Sequence, residues 1–407
     1  MQRTTKLLGA TLAACIATAA CSNESVNPAT KTLADPLFER YVSMGNSLTA
    51  GLQSGGINDS TQLRAYPVLL AQQMGTVFFD PLMNRPGCPA PYTNIFTGTR
   101  VGGASAPPCS LRATQPVPPP YINNTAVPGA TVLSGTDNLD PQAAANALTT
   151  FFLGGLTQSQ MMMKVNPTFV TVWLGNNDVL GAATDGVNPG DTTEITDTTV
   201  FKTRYAALLD SITKTDVQGA VLIGTAEVTA IPFFSAGQTY FGARQLVPSP
   251  LPDSLFVDFS CAPSAFGGKG DSVLIPFPVA GPLLATAAAK VHTTLYCFDT
   301  LTIRVVSPRE FAKLNAAVAS YNTFIAAQAT AKGWAYWDPN TLLDSLRGSP
   351  AAVAPIPAFG APCSANPFGT AFSCDGIHPS SAAHKLGAND LIGVINTKYG
   401  TTLARVP

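Results

Sequence analysis

Thr168-Phe169-Val170-Thr171-Val172-Trp173-Leu174 is β-branched and aromatic along its whole length, too continuous for a strand with one wet face. It reads as an interior parallel strand, and Gly175-Asn176-Asn177-Asp178 follows it directly. Outward from it the same scheme recurs. Residues 198–213 have helical spacing, and Gln218 to Gly224 is a second buried strand. Upstream, 41–44 reads as a strand ending at Gly45, and the second half of 61–75 as a helix stopped by glycine. Asp140 can cap a helix with Pro141 in its first turn, running through Ala143 to Leu148.

Downstream, the spacing predicts a helix from Pro308 to Lys332, with Phe311, Leu314, Val318, Tyr321, Phe324 and Ile325 at three- and four-residue steps. It leads into a short strand, Trp334 to Asp338. A last helix starts after Pro379, with Ser380 or Ser381 as cap, and runs to about Thr397. Strands alternating with helices predict a doubly wound α/β domain with a mainly parallel sheet. Residues 81–120, dense in Pro, Gly and Cys, read as a long ordered loop. Two stretches break the rhythm, near 181–197 and 233–299, and are expected as insertions at the rim of the sheet, where ligands bind. One domain over 39–400 is expected.

Of the 407 residues 46% are apolar and only 12% charged, so a core is easily built and the surface is left to Thr, Ser, Asn and Gln. Whole-chain disorder does not suit this hydropathy. A formal net charge of -1 gives no electrostatic reason to bind nucleic acid.

Residues 1–20 read as an export signal: Arg3 and Lys6, then an apolar stretch from Leu7 to Ala20 that is too short to span a membrane. It resembles a bacterial lipoprotein signal, with Cys21 as the lipidated residue and 21–38 as a flexible tether. Leu12-Ala13-Ala14-Cys15 is the local alternative but leaves a very short apolar region. The expected address is the outer membrane or cell surface, with contact through the lipid; otherwise the protein is periplasmic or secreted.

Six further cysteines suit an exported, disulfide-bonded chain. Nearest-neighbour pairing gives Cys88–Cys109, Cys261–Cys297 and Cys363–Cys374. Their wide spacings argue against a metal site.

Four short pieces carry chemistry. Gly45-Asn46-Ser47-Leu48 presents a hydroxyl where strand gives way to turn, with helix capping as the plain alternative. In Cys374-Asp375-Gly376-Ile377-His378-Pro379 the carboxylate can reach Nδ1 of His378 across a turn, leaving Nε2 for Ser47; otherwise Asp375 merely caps the turn. The chain has only three histidines; His292 lacks an acidic neighbour and His384 lies inside the last helix, where packing or surface exposure is expected. Asn124 to Gly129 and Gly175 to Asp178 supply glycines and an asparagine amide at turns. The backbone N–H groups of Ser47 and Gly129 and the Asn177 amide could together hold an oxyanion.

In this order the pieces resemble the SGNH/GDSL hydrolase family, over roughly residues 41–395. The family's Gly-Asp-Ser-Leu appears as Gly45 to Leu48, its Asn-x-Ala turn and glycine as Asn124 to Gly129, its Gly-x-Asn-Asp as Gly175 to Asp178, and its Asp-x-x-His as Asp375 to His378. The departure is Asn46 for aspartate, which keeps a hydrogen-bonding side chain without the charge. The resemblance implies a three-layer α/β/α, flavodoxin-like fold and ester hydrolysis through an acyl-enzyme on Ser47, with His378 and Asp375. It also implies an oxyanion hole from Ser47, Gly129 and Asn177, and no metal or organic cofactor.

Esterase or lipase action on small-molecule or lipid esters is the leading expectation, with Phe233-Phe234, Tyr240-Phe241 and Leu274 to Phe277 lining an acyl pocket. An O-acetylesterase acting on acylated glycans is the second reading, and a non-catalytic surface binding protein the third. Met161-Met162-Met163 is expected to pack beneath the sheet, and Trp334 and Trp337 against a strand.

Overall fold

The computed structural model describes residues 32–103, 120–137 and 148–407. Four strands form one parallel sheet: β1 (Tyr41–Gly45), β2 (Phe169–Trp173), β3 (Gly219–Ile223) and β4 (Ala335–Trp337), side by side in chain order. The register pairs Gly45 with Trp173, Val172 with Leu222 and Ile223 with Trp337, so the carboxyl ends share one rim. Outside β1, residues 123–127 run along its free edge: Ser43 N–H donates to Asn123 O (3.0 Å), Thr125 N–H to Ser43 O (2.9 Å) and Val127 N–H to Gly45 O (3.1 Å). That edge segment delivers Gly129 to the rim.

All five residues of each of β1, β2 and β3 are buried, because helices cover both faces. On one face lie α3 (Gln158–Val165), α5 (Thr198–Ile212) and α6 (Pro308–Lys332), packed on Val42, Met44, Val170, Val172 and Leu222. On the other lie α2 (Tyr66–Met74) and α8 (Ser381–Tyr399), against Tyr41, Phe169, Trp173, Val221 and Ile223. The alternation along each strand divides the core into two layers, giving the three-layer α/β/α arrangement.

Local sequence explains the helix limits. α6 opens with a reciprocal cap between Ser307 and Glu310, has Pro308 at its first turn, and stops at Gly333 with φ 68°. α8 starts on Ser380, whose side chain accepts from Ala383 N–H. Three short helices at the rim complete the main body: α1 (Ser47–Ala50), α4 (Asn177–Thr184) and α7 (Pro339–Arg347). α7 follows β4 with only Asp338 between them. The helix expected to start at Asp140 lies outside the described residues over 138–147, and a helix over Leu148–Leu153 follows. Of the methionine run, Met161 and Met162 pack into the core, whereas Met163 is exposed because it faces outward on α3. The loop expected over 81–120 contains a small antiparallel pair, Tyr92–Asn94 with Thr99–Arg100.

Residues 233–299 are more ordered than their composition suggests. Phe234–Ala236 pairs antiparallel with Leu274–Pro276, and Leu255–Val257 pairs parallel with Thr293–Leu295. With helices at Gly237–Gln245 and Phe277–Ala288 they enclose their own core of Tyr240, Leu255, Ile275, Leu284 and Leu295. The Cys261–Cys297 disulfide closes this unit, and Cys363–Cys374 closes a loop ahead of α8. The third expected pair involves Cys109, outside the described residues, as does Cys21. No helix among the described residues is long and apolar enough to cross a membrane.

Candidate active site

Ser47 is the first residue of α1, immediately past the end of β1. Asn46 caps that helix by accepting Leu48 N–H at 3.0 Å, a bond that needs no charge on the side chain. Only glycine fits at 45, since a Cβ there would sit 2.1 Å from Thr49 Oγ1. The Gly45 peptide is gripped at both ends by buried Gln158: its Oε1 accepts Gly45 N–H (2.9 Å) and its Nε2 donates to Gly45 O (2.8 Å). Sequence reasoning missed Gln158, which lies 113 residues away and carries no motif.

His378 Nε2 meets Ser47 Oγ at 2.9 Å, and its Nδ1 meets Asp375 Oδ2 at 2.8 Å. The three side chains expected to converge therefore do so. Asp375 is buried and heavily solvated by protein. Its Oδ1 accepts from Ser373 Oγ (3.0 Å), Ile377 N–H and His378 N–H (both 2.9 Å), and its Oδ2 also accepts from Gly55 N–H (2.6 Å). Burial alone pushes this carboxyl up, but the positive charge of His378 and these hydrogen bonds more than offset it and hold it at about 2. Ser54 completes the brace, donating its N–H to Ser373 Oγ (2.7 Å) and accepting Cys374 N–H (3.1 Å). Gly376 turns with φ 68°, where a Cβ would strike Phe368 at 2.7 Å.

Asn177 opens α4 at the end of β2. Its Nδ2 donates to Ala130 O (2.9 Å), and the next residue, Asp178, accepts Val132 N–H at 2.9 Å. These bonds tie the start of α4 to the loop carrying Gly129, whose φ is 82°. Burial raises the Asp178 carboxyl to about 7, against the pull of the Val132 N–H and the Thr196 hydroxyl. Among the described residues, neither the Ser47 N–H nor the Gly129 N–H meets a hydrogen-bond acceptor.

A cavity of about 110 Å³ opens beside Ser47 and His378, with a lining that is almost wholly apolar. Its walls include Trp173, Val228 and Ile231, with Trp337 from β4 and Leu342 and Leu346 from α7. This corrects the expected acyl pocket. Tyr240, Leu274 and Ile275 are buried among their own neighbours, and none of the residues expected from 233–277 lines the cavity. Trp337 does pack at a strand, edge-on to Trp173 at 5.7 Å, and also faces the cavity. His384 is buried, as packing required, and stacks on Tyr66. His292 is exposed in the 233–299 unit.

The model of the GDSL-like lipase/acylhydrolase family matches residues 41–391. The chain belongs to that family. It is thus an ester-cleaving serine hydrolase. Solved structures similar to the hydrolase include a catalytic mutant of an acetylxylan esterase from Geobacillus stearothermophilus, 12% identical with a TM-score of 0.39 over 91% of this chain and 97% of that one. An alpha/beta hydrolase from the metagenome of Lake Arreo, Spain, is 12% identical with a TM-score of 0.39, covering 89% of this chain and 97% of its own. A gut microbial diltiazem-metabolizing enzyme is 12% identical with a TM-score of 0.36, over 92% of this chain and 49% of its own. No curated protein matches the hydrolase.

Proposed function

We propose that Ser47 is the nucleophile, His378 its base and Asp375 the group that orients the imidazole. The unbroken Asp375–His378–Ser47 relay at the mouth of an apolar cavity carries this reading. As Ser47 Oγ bonds to the ester carbonyl carbon, Nε2 takes its proton. The imidazolium then protonates the departing alcohol, leaving an acyl-enzyme, and a water repeats the sequence to free the acid. The Ser47 and Gly129 N–H groups and the second Asn177 amide hydrogen are available for the oxyanion. Loss of one such donor costs on the order of a hundredfold in kcat.

The cavity favours acyl groups larger than acetyl. Its volume is of the order of the ~150 Å³ apolar cavity that takes up benzene, room for about six carbons. Nitrophenyl acetate, hexanoate and dodecanoate compared under one condition test this. The hexanoate is expected to show the highest kcat/KM, and Ser47→Ala to lower kcat on the order of 10⁴-fold or more. Equal rates for the two proteins would overturn the assignment. Acetate release from acetylated polysaccharide without hexanoate turnover would favour the glycan O-acetylesterase reading. Absence of a fluorophosphonate adduct on Ser47 would favour a binding protein.

We also infer export with lipid attachment at Cys21, placing the hydrolase at the outer membrane or cell surface. Support comes from the signal-like residues 1–20 and from two disulfides, which persist in oxidising compartments. Radiolabelled palmitate fed to producing cells is expected to mark the wild type and not Cys21→Ala; label in both would point to Cys15.

A further inference from the structure

α8 runs unbroken from Ser381 to Tyr399, yet it carries a glycine at 387, a buried position inside the helix. Glycine is among the costliest residues in a helix interior, because it gives up the most backbone freedom and brings no side chain to pack. Two structural demands ordinarily account for it. One is a left-handed backbone, which Gly333 and Gly400 adopt at helix ends and Gly387 does not. The other is a neighbour too close to admit a side chain.

That second demand is also missing. Apart from the adjoining turns of its own helix, a Cβ at 387 would meet a single heavy atom within 4 Å, Cη2 of Trp337 at 3.4 Å. This is near enough to touch and not to clash. Gly219 shows the opposite case, since a Cβ there would strike Tyr399 at 2.9 Å and Phe169 at 3.1 Å. Protein interiors are close-packed, so a buried position whose added methyl touches so little faces empty space. The space is the cavity beside Ser47, because Gly387 and Trp337 both line it together with Ser47 and His378.

Resting on the acyl-hydrolase reading above, we propose that Gly387 sets the length of acyl chain the hydrolase accepts. The side chain it lacks leaves room beside Trp337 for carbons of the chain, and a side chain there shortens the acyl group that fits. A cavity of about 110 Å³ is small enough for a single methyl to matter. One methylene in an apolar pocket changes kcat/KM by roughly 10–200-fold.

The test measures kcat/KM for nitrophenyl acetate and hexanoate in wild type, Gly387→Ala and Gly393→Ala. Gly393 lies in the same helix but is exposed, has nothing within 4 Å of an added Cβ and takes no part in the cavity wall. Its substitution reproduces the change in the helix without the change in the cavity. The hexanoate-to-acetate ratio is expected to fall about tenfold in Gly387→Ala and to keep its wild-type value in Gly393→Ala. Both substitutions remove a helical glycine, so both should raise the denaturation midpoint, by about 1–2 °C. A ratio taken within one preparation does not depend on the fraction of folded enzyme. An unchanged ratio in Gly387→Ala, or an equal fall in Gly393→Ala, overturns the proposal alone. So does a lowered midpoint in Gly387→Ala, which would mean crowding against Trp337 in place of open space. A wild type that does not prefer hexanoate to acetate, or one inactive on both with no fluorophosphonate adduct on Ser47, overturns the underlying reading and the proposal together.

Discussion

Asp375 shows how a single side chain can be both a reactive-site group and a structural one. Its carboxyl is held at about 2 against an ordinary value of 3.8, so the folded state binds the ionised form more strongly than the unfolded chain does. The stabilisation is fully present above about pH 4 and is lost as pH falls toward 2, and amounts to about 2 kcal/mol. Urea unfolding of wild type and Asp375→Asn should therefore differ most above pH 4 and converge only as pH falls through about 2; a gap that does not change with pH would refute the linkage. The pairing of Asp375 with His378 was legible in sequence because three residues across a turn fix it. The brace from Ser54 and Gly55 was not, since nothing local in either segment signals a partner about 320 residues away.

Between elements, the contact that positions the nucleophile runs from α3 to β1. Gln158 bonds both the N–H and the C=O of Gly45, and Gln158→Leu would leave the buried N–H unpaired while the C=O keeps the Val127 N–H. The expected cost is roughly 1–3 kcal/mol from the one orphaned donor, read as a lowered denaturation midpoint. Activity should also fall, because the turn before Ser47 loses its anchor. The limits of α6 were legible from its apolar spacing, and Ser307, Glu310 and Gly333 mark them as cap and stop. α7 escaped notice although its signal is present: Asp338 accepts Asn340 N–H as a cap and Pro339 takes the first turn. With no loop between β4 and α7, the two elements read as one irregular segment. That omission mattered, because α7 supplies Leu342, Leu343 and Leu346 to the cavity wall.

Across the whole molecule, two cores grip the parallel sheet and a third is enclosed by residues 233–299. Composition did not reveal the third, since strands of three residues show too few turns of alternation to register. A separate core predicts separate opening. Amide exchange at Leu255–Val257 and Thr293–Leu295 is expected to proceed through a cheaper local unfolding than exchange at β1, β2 and β3. Protection of equal strength in both sets would show one cooperative unit instead. The alternation of strands and helices, and hence a parallel sheet, was readable because each strand is followed by a helix that returns the chain to the same starting side; the side-by-side order β1 to β4 came only with the fold. Every reactive group then emerges at one rim from a different excursion. The hydroxyl at 47 and the imidazole at 378 are 331 positions apart. A ribosome therefore makes nearly the entire polypeptide before the second partner exists, and a nascent chain holding a folded amino-terminal portion is chemically mute toward any ester it meets.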